Sequence, residues 1–467
     1  MILYFTILGN AIYYQFIFQQ YKCIIKSTIL LMEKLIVKNF FNINDIEFNL
    51  SKINIIIGQE ASGKSVIAKL VYFFKTFLIE YRNSILKNRK KSEFDKSIIN
   101  NFKEIFPEYS WNSQKFDITY QINDEVQNYY IHLYTKQATK NKYTLSLEYS
   151  EYLINIRRKL LSEYTKTIID YKDKTQNSSS SISKLNIGEF IDEIFSKYIL
   201  SGKNISNLDL LTFIPAGRSF FAVLQSNVFS FLSENITIDY FLKEFGSAYE
   251  RAKNLYQARK DINLLEYKDE IDELVNKIIV GKYIREKGED WIYTNDDRKI
   301  NLSYSSSGQQ EALPMALILA ILPFFSSSHR IFIIEEPEAH LFPTSQKHIV
   351  SLISQVFNTT ERKHKFIITT HSPYILTAFN NLIQAGNTLK ALKEKSEQND
   401  LVKELFKIVP ENQILDINDI AAYTIKNGIF ESLINEENQL IDTNIIDDVS
   451  NEFSKVFERL IDLEFGE

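Results

Sequence analysis

Residues 53–70, Ile-Asn-Ile-Ile-Ile-Gly-Gln-Glu-Ala-Ser-Gly-Lys-Ser-Val-Ile-Ala-Lys-Leu, constrain the fold more than any other stretch. The run 53–57 is apolar and β-branched, as a buried strand is. Gly58-x-x-x-x-Gly63-Lys64-Ser65 follows at once and opens an amphipathic segment. Gly58 and Gly63 permit positive φ and close backbone approach. Successive N–H groups from Gln59, Glu60, Ala61 and Ser62 through to Val66 can then turn toward phosphate oxygens at the positive end of a helix. Lys64 would reach the β- and γ-phosphates of ATP, and the Ser65 hydroxyl would ligate Mg²⁺. A glycine turn before an ordinary core helix has the same outline, but glycine is scarce, 13 of 467 residues, so two at this spacing are informative.

A chain of 467 residues exceeds what one core usually organises, so a nucleotide-binding domain with insertions, or two to three subdomains, is expected. The net charge of -5 argues against a broadly basic nucleic-acid coat and leaves a local basic face open. One cysteine, Cys23, excludes a disulfide framework and points to the cytoplasm. Residues 1–21 are uncharged and apolar, but Asn10, Gln15, Gln19 and Gln20 break them and no basic segment precedes them. They read as no membrane anchor. The expected start is Met32, with 1–31 a non-native or disordered extension that intact mass would test.

Residues 34–38 and 45–49 alternate as two short strands joined at Asn42. After the glycine loop, Ile67, Leu70, Val71, Phe74, Phe77, Leu78 and Tyr81 keep helical spacing to about residue 81. From 82 to 208 the character changes. Residues 116–122, 129–135 and 143–149 alternate like antiparallel strands, 151–172 reads as a helix, and 177–183 as a serine-rich linker. This region reads as an insertion between halves of the core. Its basic clusters, Arg82, Lys87, Arg89, Lys90 and Lys91, then Arg157, Arg158 and Lys159, either touch DNA, RNA or a protein or form solvated helix faces, the commoner fate.

Residues 210–214 form another apolar strand and enter the turn Pro215-Ala216-Gly217-Arg218, from which Arg218 faces nucleotide, dimer partner or solvent. Helices are expected over 242–259 and 268–280, a hairpin over 283–286 and 291–294, and a strand over 299–304. Ser305-Ser306-Ser307-Gly308-Gln309 then opens an all-round apolar, hence buried, helix stopped at Pro323. Hydroxyls and N–H groups at that positive end suit a γ-phosphate, although a serine N-cap before any core helix looks alike.

Residues 331–334 are a buried strand that runs into Glu335-Glu336-Pro337-Glu338-Ala339-His340-Leu341. Adjacent carboxylates there are costly unless a cation or a reactive water uses them. Glu335 is expected to hold Mg²⁺ through water, and Glu336 to orient and deprotonate the attacking water. A last apolar strand, 366–370, ends at His371, which can hydrogen-bond the γ-phosphate. Lys64, Glu335, Glu336 and His371 thus share strand ends, where parallel sheets bind ligands. Beyond, 421–426 and 429–434 flank Asn427-Gly428, a type I′ hairpin signal. Residues 445–463 put Ile446, Val449, Phe453, Val456, Phe457, Leu460 and Leu463 on one helical face, to pack on the core or another subunit.

Taken in order, Gly58 to Ser65, Ser305 to Gln309, 331–336 and Thr369 to Pro373 resemble the Walker A, signature, Walker B and histidine-switch elements of an ABC-type ATPase, over about 33–376. The wording of 335–343 and 370–373 is similar to the overcoming-lysogenisation-defect (OLD) branch, related to SMC and RecF-type ATPases. The resemblance implies an α/β fold: an ABC-type P-loop NTPase core with a mixed sheet, an antiparallel β subdomain and a helical insertion. The core would comprise 32–81 and 209–376, the insertion 82–208, and a hairpin and helix extension 377–467. It implies ATP and Mg²⁺ as cofactors and a homodimer, or higher oligomer, in which Ser306, Ser307, Gly308 and Gln309 of one subunit close over ATP held by the other. Three departures stand out: Glu335 replaces the usual Asp, the signature lacks its leading Leu and first Gly, and the glutamine loop has only Gln225 as a weak candidate.

Residues 377–467 lack the glutamate after a strand and the Asp-x-Asp cluster of the Toprim nuclease that many OLD proteins carry. The chain therefore resembles the stand-alone ATPases of the PARIS and Septu antiphage systems, whose nuclease or toxin is a separate protein, with DNA or a phage protein as a further partner. The alternatives are an SMC- or RecF-like ATPase in DNA repair or tethering, which the absence of long heptads weakens, and an importer ATPase.

Overall fold

The computed structural model describes residues 32–123, 128–139, 142–174, 210–222, 238–258, 268–294, 296–325, 329–360, 364–394, 399–443 and 454–462. The expected extension 1–31, the linker 177–183, Gln225 and the apolar positions Ile446, Val449, Phe453 and Leu463 lie outside them.

Strands β1 (Met32–Phe40) and β2 (Ile43–Leu50) form a hairpin, and β3 (Ile53–Ile57) leads into the glycine loop and helix α1 (Lys64–Leu86). Helix α2 (Lys91–Ile105) follows, then β4 (Asp117–Asn123), β5 (Asn128–Thr139), β6 (Lys142–Tyr149), α3 (Glu151–Lys174) and β7 (Leu210–Ile214). Next come α4 (Tyr240–Ala258), α5 (Lys268–Ile279), a small sheet of β8 (Lys282–Glu286), β9 (Glu289–Tyr293) and β10 (Lys299–Asn301), and α6 (Ser307–Ile321). Strand β11 (Arg330–Glu335), α7 (Pro343–Thr359), β12 (Lys365–Thr370), α8 (Pro373–Glu394) and α9 (Asn399–Ile408) precede the hairpin of β13 (Ile420–Lys426) and β14 (Ile429–Ser432).

One eleven-stranded sheet runs β6-β5-β4-β1-β2-β14-β13-β3-β12-β11-β7. From β13 to β7 all neighbours are parallel, and from β6 to β2 all are antiparallel. The strands of the expected insertion therefore extend the main sheet: β4 pairs with β1 from Met32↔Asn123 to Lys38↔Asp117. The C-terminal hairpin likewise enters the sheet, with Ile420 of β13 opposite Ile53 of β3. Its turn has φ 52° at Asn427 and 75° at Gly428, as a type I′ turn requires.

Alternation along the parallel strands makes two cores. Ile53, Ile55, Phe332, Ile334 and Phe366 face α6 and α7, while Ile56, Ile331, Ile333 and Ile367 face α1. From Ala312 onward helix α6 is buried on every side, which explains why its sequence there is apolar all round. The basic cluster along α3 divides: Arg158 and Lys159 are exposed, but Arg157 is buried and donates to Ser84 Oγ (2.5 Å) and Arg89 O (2.7 Å). The terminal helical segment 454–462 is exposed throughout, so among the described residues Val456, Phe457 and Leu460 do not pack on the core.

Candidate active site

The glycine loop turns because Gly63 has φ 107° and stands at the N-cap of α1, where a Cβ would also press within 3.1 Å of Ile43. Lys64, buried, sends its ammonium back over the loop to Gly58 O (2.8 Å), Gln59 O (2.7 Å) and His371 Nδ1 (3.2 Å). Burial lowers its affinity for a proton, and Glu336, Glu338 and Glu60 oppose that shift. Because Nδ1 of His371 faces an ammonium, it accepts, and Nε2–H donates to Glu336 Oε1 at 2.9 Å. Lys64, His371 and Glu336, read from three separate strand ends, are thus in one chain of contacts.

Glu336 itself has φ 45°, a left-handed conformation that costs a non-glycine residue about 1 kcal/mol. Its N–H donates to Thr369 O (2.9 Å), pinning the acidic turn to β12. Glu335, one residue earlier, is buried at the end of β11, and its Oε1 has no hydrogen-bond partner among the described residues. Burial pushes its carboxyl up, opposed by Lys69, by a hydrogen bond from Ser65 and by the Ala216 N–H. A buried carboxylate oxygen left without a partner, beside a serine hydroxyl at the start of the loop helix, fits a hard divalent cation.

The serine patch opens α6 as read. Ser306 is the N-cap in a capping box with Gln309, and both Ser306 and Ser307 are exposed. Gly308 is buried, because a Cβ there would lie 2.6 Å from His340 O in the acidic loop. Gln309 donates from Nε2 to Ile279 O (2.8 Å), so its side chain is engaged within its own subunit.

Arg218 differs from every expectation for it. It faces neither solvent nor the loop cleft but is wholly buried, with its guanidinium on main-chain carbonyls that include Glu335 and Glu336. Burial lowers its pKa, and Glu311 is the largest opposing charge.

Three contributors escaped sequence reasoning. Glu338 Oε1 accepts from Thr370 Oγ1 (2.8 Å) and His371 N (2.6 Å), so it sets the backbone of the histidine; the third carboxylate of Glu-Glu-Pro-Glu was its signal. Phe41 and Asn42, in the β1–β2 turn, line a cleft of about 320 Å³ with 60–66, Glu336 and His371, and Asn42 Nδ2 donates to Ala61 O (2.8 Å). Nothing local to residues 41–42 marks them.

No helix among the described residues is long and apolar enough to cross a membrane. No curated protein matches the chain. Among solved structures it is similar to the SMC head domain from Thermotoga maritima, at 12% identity over 86% of this chain and 98% of that one, with a TM-score of 0.33. It is also similar to an SMC head bound to the C-terminal winged-helix domain of ScpA, at 13% identity over 87% and 99%, TM-score 0.37. A third is the recombination mediator protein RecF, at 11% over 86% and 98%, TM-score 0.30. Residues 32–376 match the family model described as AAA ATPase domain, and the chain, with its lysine loop and acidic strand end in contact through one histidine, belongs to that family.

Proposed function

We propose that the chain hydrolyses ATP between two head-to-tail copies, as the ATPase of an OLD-type antiphage system whose nuclease or toxin is a separate protein. The observation that carries the hydrolytic part is the line Lys64–His371–Glu336, with contacts of 3.2 and 2.9 Å. In this reading the N–H groups of 58–66 cradle the phosphates, and Lys64 turns from the Gly58 and Gln59 carbonyls to the β- and γ-phosphates. Ser65 and Glu335 hold Mg²⁺, which when bound neutralises charge developing on the phosphates. Glu336 takes the proton of the attacking water, and His371, aimed by Glu338, bonds the γ-phosphate and senses its loss. The exposed Ser306 and Ser307 of the second copy close the site. The defence role rests on the wording of 335–343 and 370–373.

Glu336→Gln tests the chemistry. It keeps the shape and removes the base, so ATP should bind while turnover falls at least about 100-fold, and light scattering should show an ATP-stabilised dimer. Undiminished turnover excludes Glu336 as the base. The protein that co-purifies from the native source tests the role: a nuclease or toxin supports it, and a permease or repair complex overturns it.

A further inference from the structure

The wholly buried Arg218, on the turn after β7, donates from Nε to Glu311 O (3.0 Å), from Nη1 to Pro215 O (3.0 Å) and Glu335 O (2.8 Å), and from Nη2 to Glu336 O (3.0 Å). Glu311, in α6, returns the charge. Its Oε2 lies 3.4 Å from Nε and accepts from Arg218 N (2.9 Å), and its Oε1 accepts from Ser219 N (3.0 Å). A guanidinium is tolerated in such a place only when its donors are used and its charge is paired. The object it grips is the strained peptide of the site. Glu336 keeps φ 45° between two restraints, Thr369 O on its N–H and Arg218 on its carbonyl, and a strained residue persists only where its surroundings over-determine it. The other end of the grip is one turn inside the serine-capped end of α6, whose Gly308 also abuts His340 O.

We propose that Arg218, paired with Glu311, is a positioning residue that fixes the main chain of Glu335 and Glu336 relative to the first turn of α6, and so aims Glu336 at the water. It rests on the role given above to Glu336. An arginine is required because its planar fork reaches several carbonyls at once, whereas a lysine presents its donors from one nitrogen.

The test is Arg218→Lys in the full chain, with Glu311→Gln as a second variant should the first fail to fold. Each should lower kcat, by about 10- to 100-fold for Arg218→Lys as expected of a misplaced catalytic group and less for Glu311→Gln. Nucleotide affinity by calorimetry, read where each variant is folded, should stay close to the parent's, while the thermal midpoint falls, because each change leaves part of a buried charge pair unanswered. A purely structural arginine would lower Tm in the same way but leave turnover per bound nucleotide of the folded protein at the parent's level, and that result overturns the proposal. Glu336→Gln run beside them separates the two readings. If it is inactive while both clamp variants turn over like the parent, only the clamp fails; if it turns over normally, the role of Glu336 itself fails.

Discussion

Two buried glutamates stand in the same sheet and are treated in opposite ways. Glu33, on β1, is 4% exposed and fully answered: Lys75 Nζ lies 2.5 Å and Tyr120 OH 3.0 Å from Oε2, and Lys365 Nζ lies 3.0 Å from Oε1. Burial pushes its carboxyl up, but Lys365 and Lys75 together outweigh this and hold it well below the usual carboxylate range. Glu335, on β11, is 7% exposed, keeps Oε1 without a partner among the described residues, and burial dominates, so its carboxyl is pushed up. Depth is nearly equal, so depth does not distinguish structure from site. The difference lies in whether the lone pairs are already used: the satisfied carboxylate locks β1, α1 and β12 together, and the other keeps an oxygen that no group among the described residues answers.

Glu33→Gln should break the first case with the largest effect. It removes the buried charge that faces both Lys75 and Lys365, at a cost of about 3–5 kcal/mol in urea unfolding. Because the folded-state pKa is depressed, the contribution of Glu33 is complete above the ordinary value of 4.5 and is lost as pH falls below it toward the folded value. The variant should therefore lose stability less steeply in acid than the parent. A cost under about 1 kcal/mol would put Glu33 in the same class as a surface ion pair.

Glu335→Gln should move stability the other way. A raised folded-state pKa means that stability falls as pH climbs from 4.5 through the raised value, so at neutral pH the charged Glu335 is a net burden. Removing the charge should stabilise the chain by about 0.5–2 kcal/mol while Mg²⁺-dependent phosphate release collapses, the trade expected where activity uses a strained or unsatisfied group. Urea midpoints at pH 7 read the first effect and phosphate release the second. Lower stability in the variant would mean that the bonds from Ser65 and the Ala216 N–H outweigh the cost of burying the charge.

This contrast was half legible in the sequence. The strand ends carrying Lys64, Glu335, Glu336 and His371 could be read because each motif is local and short apolar runs mark the strands. The network around Glu33 could not, since Lys75 and Lys365 stand 42 and 332 residues away. Long-range pairing also hid the placement of β4 beside β1 and of β13 beside β3, because alternation fixes a strand's faces and leaves its neighbours open. Helix α2 was missed behind its charges, although Phe94, Ile98, Phe102 and Ile105 keep helical spacing and are all buried. Arg218 looked like any arginine after a turn, and only the position of β7 next to β11 carries it under Glu335.

The smallest effect makes the comparison sharpest. Glu47, on β2, pairs with Lys34 of β1, and their side chains are 58% and 28% exposed. Glu47→Gln is the same chemical change as Glu33→Gln, made on the neighbouring strand, and it again removes a lysine's partner. Water can replace that partner at the surface, and salt already screens the pair, so the cost should stay below about 1 kcal/mol and shrink further in high salt. Urea unfolding at low and high ionic strength measures both. If Glu47→Gln instead cost as much as Glu33→Gln, the energy at Glu33 would come from strand pairing near the start of β1. The contrast between Glu33 and Glu335 would then lose its electrostatic basis.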